Sequence, residues 1–163
     1  MKKYAIEIKW SMIFIGISLA WLLIERLVGL HDKYIHLHQY LTLLFMIPAI
    51  WMYVLALKDK KNYCYNGQMT FVQGFLTGII ITLIITAISP LTQYVVSEYV
   101  TPDFFENATA YSLKTGDHKT EAEAKAYFNY ENYALQATIA AFIWGLITSL
   151  VVAFFVKTKK NLI

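Results

Sequence analysis

Four apolar stretches, each about the length needed to cross a bilayer, constrain this chain more than any other feature. They run over residues 10–30, 38–57, 71–96 and 133–156. A hydrocarbon core of roughly 30 Å takes about 20 helical residues to cross. Lipid offers no partner for a free backbone amide, so each stretch is expected to be a helix. Composition agrees: 58% of the 163 residues are hydrophobic and 15% are charged, where soluble domains run near half apolar and a quarter charged. A single core of this size cannot hide so much apolar surface, and lipid is the solvent that takes the excess. The expectation is an all-α integral membrane protein, a single domain over 1–163 with four transmembrane helices in an antiparallel bundle. The basic start and Ser18-Leu19-Ala20 have the pattern of a signal-peptide cleavage site. Trp21-Leu22-Leu23-Ile24 carries the apolar run past that point, so the stretch is expected to stay as a span.

Basic residues give the orientation. Lys2, Lys3 and Lys9 precede the first span, Lys58, Lys60 and Lys61 follow the second, and Lys157, Lys159 and Lys160 follow the fourth. These are nine of the fourteen Lys and Arg. The positive-inside rule makes all three regions, and so both termini, cytoplasmic. Residues 97–132 hold seven acids against three lysines and are expected outside. Two short amphipathic helices are expected in this loop. Thr101-Pro102-Asp103 reads as N-cap, first-turn proline and acid, with Gly116 closing the helix. Thr120-Glu121-Ala122-Glu123 reads as a capping box opening the second. The aromatics of the loop, including Tyr99, Phe104, Phe105, Tyr127 and Phe128, are expected to seat it at the membrane–water boundary.

Helices in lipid associate through small residues and polar contacts. The third span carries Gly74, Gly78, Thr82 and Thr86 at intervals of four, and the fourth carries Ala137, Ala141, Gly145, Ser149 and Ala153. The stripes are expected to pack against each other within the chain; a homodimer face has the same spacing. Pro48 and Pro90 each remove a backbone donor, from the Leu44 and Thr86 carbonyls, and are expected to kink their helices. Such kinks serve shape, or make a hinge with a polar cavity near Ser89-Pro90-Leu91-Thr92-Gln93.

Ionisable residues within spans are functional candidates by default. Glu25 falls about 7 Å below the outer end of the first span by helical rise. It shares a face with Ser18 and Ser11, while Arg26 beside it can reach water or headgroups. Glu25, Arg26, Ser18, Ser89 and Gln93 are the candidate polar or ion site. An interhelical hydrogen bond or ion pair is the structural expectation for Glu25, and a proton or ion site the functional one. His31, Asp32, His36 and His38 are weak metal candidates, expected as surface residues at the helix end, because zinc needs three or four convergent ligands. Asp32 and His36 are four apart and could share a helix face. The lone Cys64 excludes an internal disulfide and a cysteine-based zinc site. No phosphate loop, nucleophile elbow, H-E-x-x-H or nucleic-acid patch is present in the sequence, so neither a cofactor nor a nucleic-acid partner is expected. The partners expected are the lipid bilayer and, beyond it, a second copy or another membrane protein.

"WLLIERLVGLHD", "IPAIWMYVLALKDKK", "YNGQMTFVQGFLTGIIIT", "ISPLTQYVVSEYVTPDFF" and "AEAKAYFNYENYALQ" together resemble the small bacterial inner-membrane proteins grouped as domain of unknown function 4199. The resemblance covers essentially the whole chain. It implies four spans and a bacterial cytoplasmic membrane, and brings no activity or catalytic residue. The functional expectation is a non-catalytic structural or accessory membrane component. The alternatives are a subunit of an oligomeric transporter or channel, with a polar site near Glu25 and Ser89–Gln93, and a membrane enzyme or metal-binding protein using Glu25 and the histidines.

Overall fold

The computed structural model describes residues 4–158. Lys2, Lys3, Lys159 and Lys160, four of the lysines that bear on orientation, lie outside the described residues. The seven α-helices are α1 Ala5–Leu27, α2 Ile35–Leu41, α3 Met46–Tyr65, α4 Phe71–Val95, α5 Phe104–Thr115, α6 Glu121–Tyr127 and α7 Tyr130–Val156. A 3₁₀ turn, Thr42–Phe45, joins α2 to α3, and a π turn, Val96–Val100, prolongs α4. There is no strand among the described residues. Four helical segments are long and apolar enough to cross a membrane: Ala5–Leu27, Ile35–Tyr65, Phe71–Val100 and Tyr130–Val156. Only 17–33% of each apolar window is buried by the chain itself. The rest is partly or fully exposed, and Ile24, Ile47, Leu83, Leu91 and Phe155 are among the exposed apolar side chains that suit lipid.

Helix boundaries follow local chemistry. Gly29 (φ 82°) ends α1: its N–H donates to the Arg26 carbonyl, and the Leu30 N–H donates to the Glu25 carbonyl. This is the Schellman pattern, with Leu30 buried beneath it. Pro48 sits in the first turn of α3 rather than mid-helix, where the missing donor costs little. The Leu44 carbonyl falls in the 3₁₀ turn just before, within the span Ile35–Tyr65. Pro90 lies inside α4. Asn129 caps α7 through its side-chain oxygen on the Asn132 N–H (2.9 Å), so α7 opens three residues ahead of the apolar run.

α5 begins after Asp103, not at Thr101. The Thr101 N–H is bound to the Val96 carbonyl and closes the π turn. Gly116 (φ 81°) ends α5. Thr120 caps α6 by accepting from the Glu123 N–H, but Glu123 reaches back to the Lys119 N–H rather than to that of Thr120. On the exposed side of α6, Lys125 lies 2.6 Å from Glu121 and holds that carboxyl below its ordinary range. The pair therefore helps α6 above the ordinary glutamate range, and its help fades as pH falls through the lowered value.

The contacts divide the chain into two compact units. The first is formed by the described parts of Met1–Ile15, Met46–Ala87 and Ile139–Ile163. Its core joins Tyr53, Ala56 and Leu57 of α3, Ile81 and Ile85 of α4, and Val152, Ala153 and Val156 of α7, with Met69 from the connection. Phe14 of α1 meets Tyr53 edge-on at 6.0 Å. α4 and α7 approach most closely through their small residues. A Cβ on Gly78 would lie 2.5 Å from Ser149 Oγ, one on Gly145 would lie 2.5 Å from Thr82 Cγ2, and one on Gly74 would lie 3.3 Å from Ala153 Cβ. The second unit is Gly16–Phe45 with Ile88–Thr138. Several of its aromatic residues pack on one another: Tyr133 contacts Phe104, Phe105 and Phe128 at 5.6, 5.1 and 6.2 Å. Tyr99 is the most exposed of its tyrosines, at 71%, and Tyr34, Tyr40, Tyr94 and Tyr127 are exposed as well.

Candidate functional site

The Schellman turn at Gly29 decides what happens at the end of α1. It reverses the chain immediately after Leu30, so His31 comes back over the helix it has just left. Its Nε2 lies 3.3 Å from Glu25 Oε2. α2 supplies His38, whose Nε2 lies 3.8 Å from the same oxygen. The other carboxylate oxygen, Oε1, accepts from the Trp21 indole N–H at 2.6 Å, one helical turn earlier on α1. Phe104 of α5 closes the group, with its ring 5.3 Å from His31 and 5.1 Å from His38. Asn107 of the same helix donates to the His31 carbonyl at 3.0 Å and fixes the turn from above.

Glu25 is 2% exposed and His31 6%. One ligand atom from each of Glu25, His31 and His38 lies within 4.8 Å of the other two. The histidines expected at the surface thus divide. His31 and His38 turn inward onto Glu25, while His36 and Asp32 are exposed and stay out of the group. Asp32 accepts instead from the Lys33 N–H. His118 packs on Phe128 and Tyr127, at 5.5 and 5.4 Å. A cavity of about 300 Å³ adjoins His38 and is lined also by His36, Phe104, Tyr111, Asp117 and Tyr133.

The other candidate residues bond elsewhere. Arg26 donates to the Val100 carbonyl. Ser89 pairs with Thr138 (3.3 Å), Gln93 donates to Ser97 (3.1 Å), and Tyr130 donates to the Pro90 carbonyl (3.3 Å). Ser18 is partly buried on α1. Ser11, in the first unit, donates to the Glu7 carbonyl at 2.8 Å.

The first unit holds a polar arrangement that periodicity does not announce. Glu7 and Lys60 form an ion pair at 2.7 Å, with the carboxylate side chain 1% exposed and the ammonium side chain 9%. Beside them Asp59 accepts from Lys9 (2.9 Å) and from the Trp10 indole (2.7 Å). The alternating signs at Glu7, Lys9, Asp59 and Lys60 were the available signal; reading the lysines for topology alone passes over them. In the same unit Tyr53, Thr82 and Ser149 form a hydroxyl chain, at 2.9 and 3.3 Å.

Fold and site together define an all-α protein with four membrane-spanning helices and a buried carboxylate–imidazole group at the end of the first. The family model described as "Protein of unknown function (DUF4199)" matches residues 9–158, and the chain belongs to that family. Comparison with curated proteins and with solved structures yields no match.

Proposed function

We propose that the protein is a non-catalytic accessory component of a bacterial cytoplasmic membrane, crossing it four times with both termini in the cytoplasm. The use of the buried polar side chains carries this reading. Glu7 is held by Lys60, Tyr53 by Thr82, Thr82 by Ser149, and Ser89 by Thr138. Each pair joins two helices, which is how polar groups fix a membrane protein's shape. The orientation rests on the lysines at one set of helix ends and the acids of residues 97–132.

Labelling with a membrane-impermeant maleimide tests the orientation. Ser112 is buried, so Lys119, which is exposed, is the better site for a probe. The native Cys64 is exposed and lies at the end of α3, on the side read as cytoplasmic. Cys64 should react only after permeabilisation, and Lys119→Cys in a Cys64→Ser background should react from outside intact cells. The reverse pattern would overturn the topology. The transporter-subunit alternative needs Glu25 and Ser89–Gln93 to share one path, yet they bond to separate partners. It also needs several copies. A monomeric mass in nanodiscs would leave the accessory reading standing, and a defined ring would favour the transporter.

A further inference from the structure

We propose that Glu25, His31 and His38 form a binding site for a divalent transition-metal ion of the zinc class, with a fourth position open toward the cavity beside His38. The proposal does not depend on the orientation or the role argued above. Two imidazoles and one carboxylate are a recurrent zinc ligand set when a coordination position is left free. With bonds of about 2.0–2.1 Å, tetrahedral ligand atoms stand roughly 3.3 Å apart. The Glu25–His31 pair is already at 3.3 Å and the Glu25–His38 pair at 3.8 Å. The whole group lies within 4.8 Å, so a small rotation of His38 completes the convergence.

Two further observations favour an ion over a plain hydrogen-bond cluster. The first is charge. Among the described residues, the ion-pair partners of the Glu25 carboxylate are His31 and His38. Arg26, one residue along, is directed to the Val100 carbonyl instead. A buried carboxylate carries a desolvation cost that a divalent ion removes. The second is support and access. The Trp21 indole holds Oε1 and leaves Oε2 to face the histidines, which is how an outer residue orients a ligating carboxylate. The cavity borders His38, the most exposed of the three side chains, which is the side from which an ion would enter.

The test uses the full-length protein in nanodiscs with Co²⁺ and Zn²⁺ as probes. Wild type should bind one Co²⁺ per chain with the visible bands of a four-coordinate site. Zn²⁺ should displace it and raise the midpoint of thermal unfolding. His38→Gln, which alters the least buried ligand, should abolish the bands and the Zn²⁺-induced shift. Trp21→Phe should keep the band shape while weakening affinity about tenfold, as loss of an orienting outer residue does. His36→Gln, outside the group, should behave as wild type. Should Glu25→Gln fail to fold, His38→Gln still carries the test. Absence of the bands in wild type, their persistence in His38→Gln, or their equal loss in His36→Gln would each overturn the site.

Discussion

Glu7 and Glu25 are both buried carboxylates of α1, and their surroundings predict different responses to substitution. Glu7 faces an ammonium, Lys60, at 2.7 Å, and its second oxygen is buried without a partner. Glu7→Gln leaves that ammonium uncompensated. It should destabilise the protein by roughly 3 kcal/mol, the lower end for breaking a buried pair, because the lysine stem can carry its charge outward. Adding Lys60→Met should recover part of the loss; a double variant no more stable than Glu7→Gln would show that the pair is not what the stability depends on. Equilibrium unfolding in detergent monitored by circular dichroism measures both. Glu25 meets imidazoles and an indole instead. The i, i+4 spacing of Trp21 and Glu25 is visible in the sequence, but the return of His31 is not. It depends on one left-handed residue, Gly29, which in the sequence falls inside the first apolar stretch, 10–30.

At the scale of elements, the close approach of α4 and α7 is the feature most exposed to substitution. Gly78→Ala would place a methyl 2.5 Å from Ser149 Oγ and 2.6 Å from its Cβ. The helices must separate to accept it, and overpacking of this kind costs about 1–3 kcal/mol. Gly145→Ala should behave alike against Thr82. Gly16 has nothing within 4 Å of an added Cβ, and Gly16→Ala should be neutral or stabilising by up to about 1 kcal/mol. Thermal unfolding in one detergent ranks the three, and equal effects would refute the packing argument. Gly74, Gly78, Gly145, Ser149 and Ala153 were legible because the four-residue spacing of small side chains reports backbone proximity directly. Element ends were less so. α1 starts at Ala5 and ends at Leu27, and α7 begins at Tyr130, because helix ends follow caps that an apolar run does not mark. Pro48 misleads for the same reason. A proline inside an apolar run looks mid-helix until the 3₁₀ turn before it is known to restart the helix.

For the molecule as a whole, the four apolar helices and the membrane class followed from hydrophobic length and backbone hydrogen bonding, both of which are local properties of sequence. The group at Glu25 did not, because residues 25, 31, 38 and 104 come together only through a cap, a second helix and the α5 segment. Their distances are properties of the second unit, not of any one stretch. The two units also differ in how they hold polar groups: the first keeps Glu7, Lys60, Thr82 and Ser149 in pairs across helices, while the second gathers two imidazoles around one carboxylate oxygen. The hydrogen bond from the Leu30 N–H to the Glu25 carbonyl makes the end of α1 a clock for that gathering. This amide is released when the turn that carries His31 opens, so its deuterium uptake counts openings of that turn. Zn²⁺ should slow exchange at Leu30 more than at Tyr34, whose amide is bound to the Gly29 carbonyl within the turn. One backbone proton would then record, in time, how often the turn over the buried carboxylate opens.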